Sequence, residues 1–132
     1  MSAPCYCVLL RKTSRKLSAA YDAALAPLGI NIAQFSLLRH IRRAGALSVT
    51  DLAAKVELDR STVGRNVKVL QRMGLVAARP GADQREALLA LSPEGARTLE
   101  AAEPLWDQVQ ADLDARLGPA RMTQLQDLLA AL

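Results

Sequence analysis

The sequence predicts a mainly α-helical fold with a small β wing, that is, one short hairpin. Two observations support this fold class. Through most of the 132 residues, apolar side chains recur at helical spacing between residues that cap helix ends. Between residues 75 and 92, by contrast, two short apolar pieces (LVAAR and EALLALS) flank the loop PGADQR, a pattern typical of a hairpin. Because no repeat or long linker divides the chain, we expect a single domain.

The first two helices are predicted on either side of Gly29. The first covers residues 5–27, and Gly29 ends it. Four basic residues cluster in its middle: Arg11, Lys12, Arg15 and Lys16. The second helix is predicted to begin after Asn31, because Asn31 and Gln34 have the spacing of a capping box. Its predicted apolar side consists of Leu37, Leu38, Ile41 and Ala44.

A third and a fourth helix follow in close succession. Ser48 is a predicted cap for a short two-turn helix, and Asp59 is a predicted cap for the longer helix RSTVGRNVKVLQRMG. On that fourth helix the predicted buried stripe consists of Val63, Val67, Leu70 and Gly74. The opposite face carries Ser61, Arg65, Lys68 and Arg72, with Thr62 at its edge.

Two helices are predicted after the hairpin. Ser92, Pro93 and Glu94 supply a cap, a first-turn proline and an acid near the positive helix end. Apolar residues then follow a coiled-coil-like 3-4 spacing: Leu99, Ala102, Trp106, Val109 and Leu113. Gly118 and Pro119 separate the last helix. The apolar surface of the first and last helices exceeds the need of one small core, so a homodimer is expected.

Charge is distributed unevenly along the chain. Residues 1–79 carry a net charge of +9 and residues 80–132 carry −5, which gives +4 overall. A basic half suits a polyanion such as nucleic acid, although a solvated basic surface would have the same composition. No apolar run approaches the roughly 20 residues of a membrane span, and no signal-peptide pattern opens the chain. We therefore expect a cytoplasmic protein without a membrane partner.

Two short helices joined by a tight turn, the second with a basic outer face, predict a helix-turn-helix, and the hairpin makes it a winged one. At this point the sequence resembles the MarR family of bacterial transcriptional regulators. The residues that carry the resemblance are LDRSTVGRNVKVLQRMGLV, then Asp83-x-Arg85, then Leu89-x-Leu91-Ser92-x-x-Gly95. The resemblance implies a winged helix-turn-helix over residues 30–92, with residues 1–29 and 93–132 forming a helical dimerisation part of the single domain 1–132.

The predicted DNA contacts lie on the fourth helix. A homodimer would place two such recognition helices about one DNA turn apart, on a palindromic operator in double-stranded DNA. Ser61, Thr62 and Arg65 belong to the early turns that reach base edges, and Arg65 is the candidate for a bidentate guanine contact. Lys68 and Arg72 are candidates for phosphate contacts. Arg60 and Asn66 flank the buried stripe and complete the predicted set.

The hairpin loop carries the predicted minor-groove contact. A thin loop tip with an arginine can enter the minor groove, where the potential is negative. Asp83 can hold the guanidinium of Arg85 in one orientation, which reduces the entropy lost on binding. The alternative for both residues is an exposed surface ion pair.

The cysteines are candidates for redox sensing. Aligned through LGINIAQF, Cys7 falls where organic-hydroperoxide sensors of the resembled family carry a reactive cysteine, and Tyr21 matches a tyrosine that contacts the thiolate there. The second such tyrosine is replaced by Arg11, whose charge would favour a thiolate. Cys5 could join Cys7 in a strained disulfide. The alternative is that both cysteines only pack at a dimer interface.

Other functions have weaker support in the sequence. The resemblance implies a repressor released by a small aromatic ligand or an oxidant; Trp106 and Tyr6 could line such a ligand cavity or simply pack. Cys5, Cys7 and His40 fall short of a metal-site pattern, and no motif for a cofactor or for catalysis is present, so we expect neither metal nor cofactor and no enzyme. The competing interpretation is a winged-helix protein-interaction module that does not bind DNA.

Overall fold

The computed structural model describes residues 3–82 and 86–132 and confirms the predicted fold class. Its elements, in chain order, are α1 (Tyr6–Leu25) with a 3-10 turn (Ala26–Leu28), α2 (Ile32–Ala44), α3 (Val49–Val56), α4 (Arg60–Arg72), β1 (Val76–Pro80), β2 (Ala87–Leu91), α5 (Pro93–Leu117) and α6 (Pro119–Ala130). No helix among the described residues is long and apolar enough to cross a membrane.

The helix starts follow the predicted caps. Asn31 accepts a hydrogen bond from the backbone N–H of Gln34 at 2.9 Å, and the Gln34 side chain accepts from the N–H of Asn31 at 2.9 Å, which completes the capping box. Ser48 caps α3 by accepting from the N–H of Asp51 at 3.1 Å. Each cap satisfies backbone donors that the helix itself leaves free.

One hydrophobic core joins all of the winged part to α1 and α5. Its largest fully buried side chains are Phe35, Leu25, Leu38, Ile41, Leu52, Leu70, Leu89, Leu99, Val63 and Val67. On α2 and α4, two predicted stripe members lie outside this core. Ala44, the last residue of α2, is exposed. Gly74 is exposed beyond the end of α4, where its φ of +77° ends the helix. The predicted periodicity included the exposed last residue of α2 and continued past the end of α4, which accounts for the two errors.

The wing is an antiparallel pair of strands, and one further residue outside them bridges to β2. Val76 pairs with Leu91 and Pro80 pairs with Ala87, which sets the register of β1 and β2. Leu47, between α2 and α3, makes an isolated bridge to Leu89: the two N–H groups donate to the opposite carbonyls at 3.1 and 2.8 Å. This bridge ties the root of the wing to the start of α3.

The start of α5 is fixed against the turn between α4 and β1. Ser92 donates its hydroxyl to the carbonyl of Gly74 at 2.6 Å and accepts from the N–H of Gly95 at 3.0 Å. Gly95 is buried, and a Cβ atom placed on it would lie 1.9 Å from the carbonyl oxygen of Leu75. Only a residue without a side chain allows α5 to approach the winged part this closely.

The apolar stripe of α5 packs mainly within its own chain. Leu99, Ala102 and Val109 are buried in the single protomer, so most of the predicted coiled-coil stripe is not free for a second copy. Most of the exposed large apolar side chains lie near the start of α1 and around α6: Tyr6, Val8, Leu9, Leu10, Leu117, Met122, Leu125 and Leu129. Leu58 and Met73, at the two ends of α4, are exposed as well. Most of the exposed apolar surface therefore lies on the first and last helices, the two that the sequence predicts to face a second copy.

Candidate nucleic-acid interface

The helix-turn-helix consists of α3, a three-residue turn and α4. Glu57 ends α3 in the left-handed conformation, with a φ of 54°, and its N–H and that of Leu58 bond back to carbonyls of α3. Asp59 then caps α4. This turn packs Leu52 of α3 and Val63 of α4 into the core, and it thereby directs the opposite face of α4 to solvent.

The outward face of α4 is polar and basic, as predicted. Its exposed members are Arg60, Ser61, Arg65, Lys68 and Arg72, and Thr62 and Asn66 are half-buried at its edges. Because these residues recur every three or four positions, they form one continuous strip along the helix. Four positive charges on this strip, and the polar groups between them, match what a duplex presents in its major groove.

Local hydrogen bonds organise the first turn of this strip. The carboxylate of Asp59 accepts from the Ser61 hydroxyl and, at 3.4 Å, from the N–H of Thr62. The hydrogen bond from Ser61, followed by that from Thr62, holds the pKa of Asp59 below its ordinary value. In this arrangement Ser61 uses its proton within the protein and offers only acceptor lone pairs to a base.

Two of the predicted cations are held by hydroxyl groups. Arg65 donates from Nη2 to Oγ1 of Thr62 at 3.3 Å, one turn earlier on α4. Arg60 donates from Nε to Oγ1 of Thr50 on α3 at 3.0 Å. Both contacts orient a guanidinium without neutralising it, so the positive charge remains available to a polyanion.

A cleft of ≈480 Å³ lies between α4 and the wing. Arg60, Arg65 and Lys68 line it on the helix side, while Ala78 and Glu86 line it on the wing side. Three of the polar residues at this interface were not among the sequence predictions: Thr50, Gln71 and Glu86. The helical pattern of α4 could have indicated Gln71, but nothing in the sequence places Thr50 or Glu86 next to α4.

The predicted wing-tip pair cannot be compared with the structure. Asp83 and Arg85 lie outside the described residues, on the loop between β1 and β2. The flanking strands do form the predicted hairpin, with Pro80 and Ala87 as its last described pair. The minor-groove contact therefore stays a prediction.

The redox candidates are separated within one chain. Cys5 and Cys7 are both exposed free thiols at the start of α1. Tyr21 lies 14 residues after Cys7 on the same straight helix, about 21 Å away at 1.5 Å per residue. Its hydroxyl donates to Oε1 of Gln110 on α5, and burial followed by the charge of Asp114 raises its pKa. Within one protomer Tyr21 thus contacts Gln110 and not the cysteine.

The remaining candidate residues also have defined places. Trp106 is half-buried, with its ring centroid 5.9 Å from that of Phe35 and the Arg39 guanidinium carbon 4.6 Å above it. Tyr6 is 80% exposed and does not pack within this chain. His40 has Nδ1 2.7 Å from the carbonyl of Ser36, one turn earlier on α2. Across residues 3–82 and 86–132, no three potential ligands are grouped as a metal ion would require.

Comparison with known proteins identifies the family. Residues 28–86 match the model described as MarR family. The HTH-type transcriptional regulator FarR of Neisseria gonorrhoeae is 31% identical over 107 residues, which cover 75% of this chain and 68% of FarR. The chain belongs to the MarR family. The regulator YwoH of Bacillus subtilis is 28% identical over 91 residues, which cover 69% of this chain and 66% of the length of YwoH.

Solved structures of other MarR-type regulators share the whole architecture. The M. tuberculosis transcriptional regulator MosR in complex with DNA is 37% identical, with a TM-score of 0.86 over 97% of this chain and 96% of MosR. A cysteine-to-serine mutant of MarR from E. coli complexed with operator DNA is 26% identical, with a TM-score of 0.85 over 93% of this chain and 89% of MarR. MosR and YwoH are both transcriptional regulators.

Proposed function

We propose that this chain is a transcriptional regulator that binds double-stranded DNA sequence-specifically as a homodimer and represses the genes it controls. One observation carries the proposal. The exposed face of α4, with Arg65, Lys68 and Arg72 aligned along it, stands beside an antiparallel wing. Support also comes from MosR and MarR, which share this fold and whose structures contain DNA.

In the proposed complex, α4 enters the major groove of the duplex. Arg65 makes a bidentate contact with guanine, since a guanidinium fork matches the two acceptors of that base. Lys68 and Arg72, further along α4, contact phosphates. Arg60, Ser61, Thr62 and Asn66 add contacts at the edges of the strip, and Asp83 and Arg85 contribute the minor-groove contact of the wing.

The exposed apolar surface supports the dimer. An open groove of ≈710 Å³ between α1, α5 and α6 is lined by apolar residues such as Leu9, Leu17 and Leu125. Apolar patches of this kind on one protomer indicate a protein partner. A second copy, related by a twofold axis, would cover the groove and present two α4 helices to a palindromic operator.

Release from DNA is proposed to follow either a small aromatic ligand or oxidation of the exposed thiols. A ligand shifts the dimer between two states only by its difference in affinity for them. In the oxidative route, the Cys7 thiolate attacks the O–O bond of an organic hydroperoxide, which gives a sulfenic acid and an alcohol. The Cys5 thiol can then condense with the sulfenic acid to form a disulfide and release water.

The first experiment is a titration of the reduced protein against the DNA upstream of its own gene. Fluorescence anisotropy of the labelled duplex, with excess nonspecific competitor, reports specific binding. The titration is repeated after treatment with an organic hydroperoxide, with Cys7→Ser and Cys5→Ser as controls. Binding that is lost on oxidation in the wild type, and retained in Cys7→Ser, supports the thiol route.

Each other outcome changes a defined part of the proposal. Binding that is insensitive to the hydroperoxide removes the thiol route and leaves release by a ligand. If the reduced protein binds neither this duplex nor any sequence enriched from a random library, DNA binding is overturned, and a protein-interaction module becomes the better explanation.

A further inference from the structure

Two directional contacts join α2 to α5, that is, the winged part to the long C-terminal helix. The Arg39 guanidinium carbon lies 4.6 Å from the Trp106 ring centroid and 5.4 Å from that of Phe35. One turn away, Arg42 donates from Nη1 to Oε1 of Glu103 in an ion pair. We call these four residues, Arg39, Arg42, Glu103 and Trp106, the α2–α5 clasp.

The clasp is unlike the apolar contact that it accompanies. Leu38 and Ile41 of α2 share the core with Leu99 and Ala102 of α5, but apolar packing is not directional and allows small rotations and slides. A stack between a guanidinium and an indole, and an ion pair, both require particular orientations. Ser92 and Gly95 already fix the start of α5 against the winged part. Eight to eleven residues further along α5, the clasp adds directional contacts that can select one angle about that fixed end.

The spacing of the two contacts determines what they constrain. Arg39 and Arg42 are three residues apart on α2, and Trp106 and Glu103 are three residues apart in the reverse direction on α5. The helices are thus antiparallel here, with two attachment points separated by about 4.5 Å along each axis. One point would fix only a position, whereas two points also fix the angle at which the helices cross.

The ion pair of the clasp contributes little to the stability of the fold. The side chains of Arg42 and Glu103 remain 45% and 38% exposed, and ion pairs that exposed are weakly stabilising because water screens them. The hydrogen bond from Arg42 still lowers the pKa of Glu103, so the pair is ionised at neutral pH. A contact that adds little stability but restricts orientation is suited to setting geometry.

We infer that the α2–α5 clasp sets the distance between the two α4 helices and thereby selects the spacing of the two operator half-sites. The inference rests on the proposed function, because it needs a dimer that binds DNA. In such a dimer α5 belongs to the shared helical part. Because α2, α4 and the first half of α5 pack in one core, the angle between α2 and α5 bears on the position of α4. Since each base pair of B-DNA adds about 3.4 Å of rise and about a tenth of a turn, the distance and the angle between the two α4 helices together determine the preferred spacing.

The test measures spacing preference and not affinity alone. A duplex enriched by the wild-type protein from a random library is remade with one base pair inserted or deleted between its half-sites. We expect the wild type to bind the original spacing about tenfold more tightly than either altered duplex. In the double variant Arg39→Met/Arg42→Met that ratio should fall to about threefold or less, because the methionines keep the apolar stems and lose both directional contacts.

One control and one milder clasp variant separate geometry from charge and folding. Arg97→Met removes an ion pair with Glu94, in which Nη2 and Oε2 are 2.8 Å apart and both residues belong to α5. This variant should leave the ratio unchanged. Glu103→Gln is a milder variant that keeps the shape of the side chain, and it should lower the ratio in the same direction. Loss of charge alone weakens all three duplexes equally and cancels in the ratio.

The outcomes distinguish this inference from the proposed function. If the wild type enriches no duplex, both are overturned. If the wild type discriminates spacing and both clasp variants, folded as judged by circular dichroism, discriminate equally well, only the inference is overturned. A reduced ratio in the clasp variants together with an unchanged ratio in Arg97→Met supports it.

Discussion

A single carboxylate, that of Asp59, organises the first turn of α4. It accepts from Ser61 and Thr62, and these hydrogen bonds hold its pKa below the ordinary value of 3.8. A carboxyl group whose pKa is lower in the folded chain than in the unfolded chain stabilises the folded state fully when the pH lies above the unfolded-state pKa. This stabilisation is lost as the pH falls through the folded-state pKa. Asp59 therefore makes the stability of the first turn of α4 dependent on acid pH.

The corresponding prediction compares the wild type with Asp59→Asn. Asparagine also caps helices, but it carries no charge near the positive helix end. We expect the wild type to be the more stable protein at neutral pH and the difference to vanish well below pH 3.8, the ordinary value for this group. Chemical denaturation at a series of pH values measures the difference in free energy of unfolding between the two proteins. A difference that does not change with pH would contradict the role of the Asp59 charge.

Arg65 and Lys68 are predicted to act differently although they are one turn apart. Arg65→Ala should cost about 1–3 kcal/mol at one base position of the operator, because it removes a direct contact with a base edge. Lys68→Ala should weaken binding to all sequences and reduce the salt slope by about one. Titrations of each variant against the preferred duplex and its single-base variants decide the matter; an Arg65→Ala affinity equal to that of the wild type would refute the first assignment.

Among the elements, α5 meets the winged part at a position that only glycine can occupy. A Cβ atom on Gly95 would lie 1.9 Å from a backbone oxygen of Leu75, which no flexible side chain can relieve. Alanine normally stabilises a helix relative to glycine by about 0.5–1 kcal/mol. Here the clash should reverse that sign, and Gly95→Ala should destabilise the protein by about 2–3 kcal/mol or more.

Gly64 provides a matched control for that prediction. It lies inside α4, has an ordinary backbone conformation, and a Cβ atom placed on it would meet nothing within 4 Å. Gly64→Ala should therefore raise the free energy of unfolding by about 0.5–1 kcal/mol. Urea denaturation of both variants gives the two signs, and destabilisation of similar size in each would remove the special role of Gly95.

The elements also show which features the sequence could predict. The caps at Asn31, Ser48 and Asp59 were predicted correctly because each depends on residues at most three positions away. The contact of Gly95 with Leu75 and the hydrogen bond from Arg60 to Thr50 were not predicted. Both depend on how separate elements pack, and periodicity along one helix contains no information about that.

At the candidate DNA-binding site, too, features of a single helix were predicted and contacts between separate elements were not. The exposed face of α4 was predicted because it is the complement of a buried stripe on one helix. Glu86, on the wing side of the cleft, was missed because strand pairing and not local sequence brings it near α4. The role of Tyr21 beside a cysteine thiolate stays a prediction; within one chain its hydroxyl donates to Gln110 of α5, a contact that the sequence did not indicate.

For the whole molecule, the distribution of apolar surface makes stability depend on concentration. If α1 and α6 pair with a second copy, the melting temperature should rise with protein concentration, because association stabilises only the folded chain. Leu125→Glu, which places a charge on the exposed apolar side of α6, should give a monomer by light scattering and lower the melting temperature. Thr123→Glu, also exposed on α6 but on a polar side, should leave the wild-type mass.

The position of Trp106 has a practical consequence for spectroscopy. It is the one tryptophan of the sequence, and it stands where α5 meets α2, stacked on Phe35 beneath the Arg39 guanidinium. Indole emission responds to the polarity and the charges around the ring, so the intrinsic fluorescence of the unlabelled protein monitors this one junction. A rotation of the winged part on addition of DNA, hydroperoxide or a ligand that does not itself absorb would change the colour or intensity of that emission in real time.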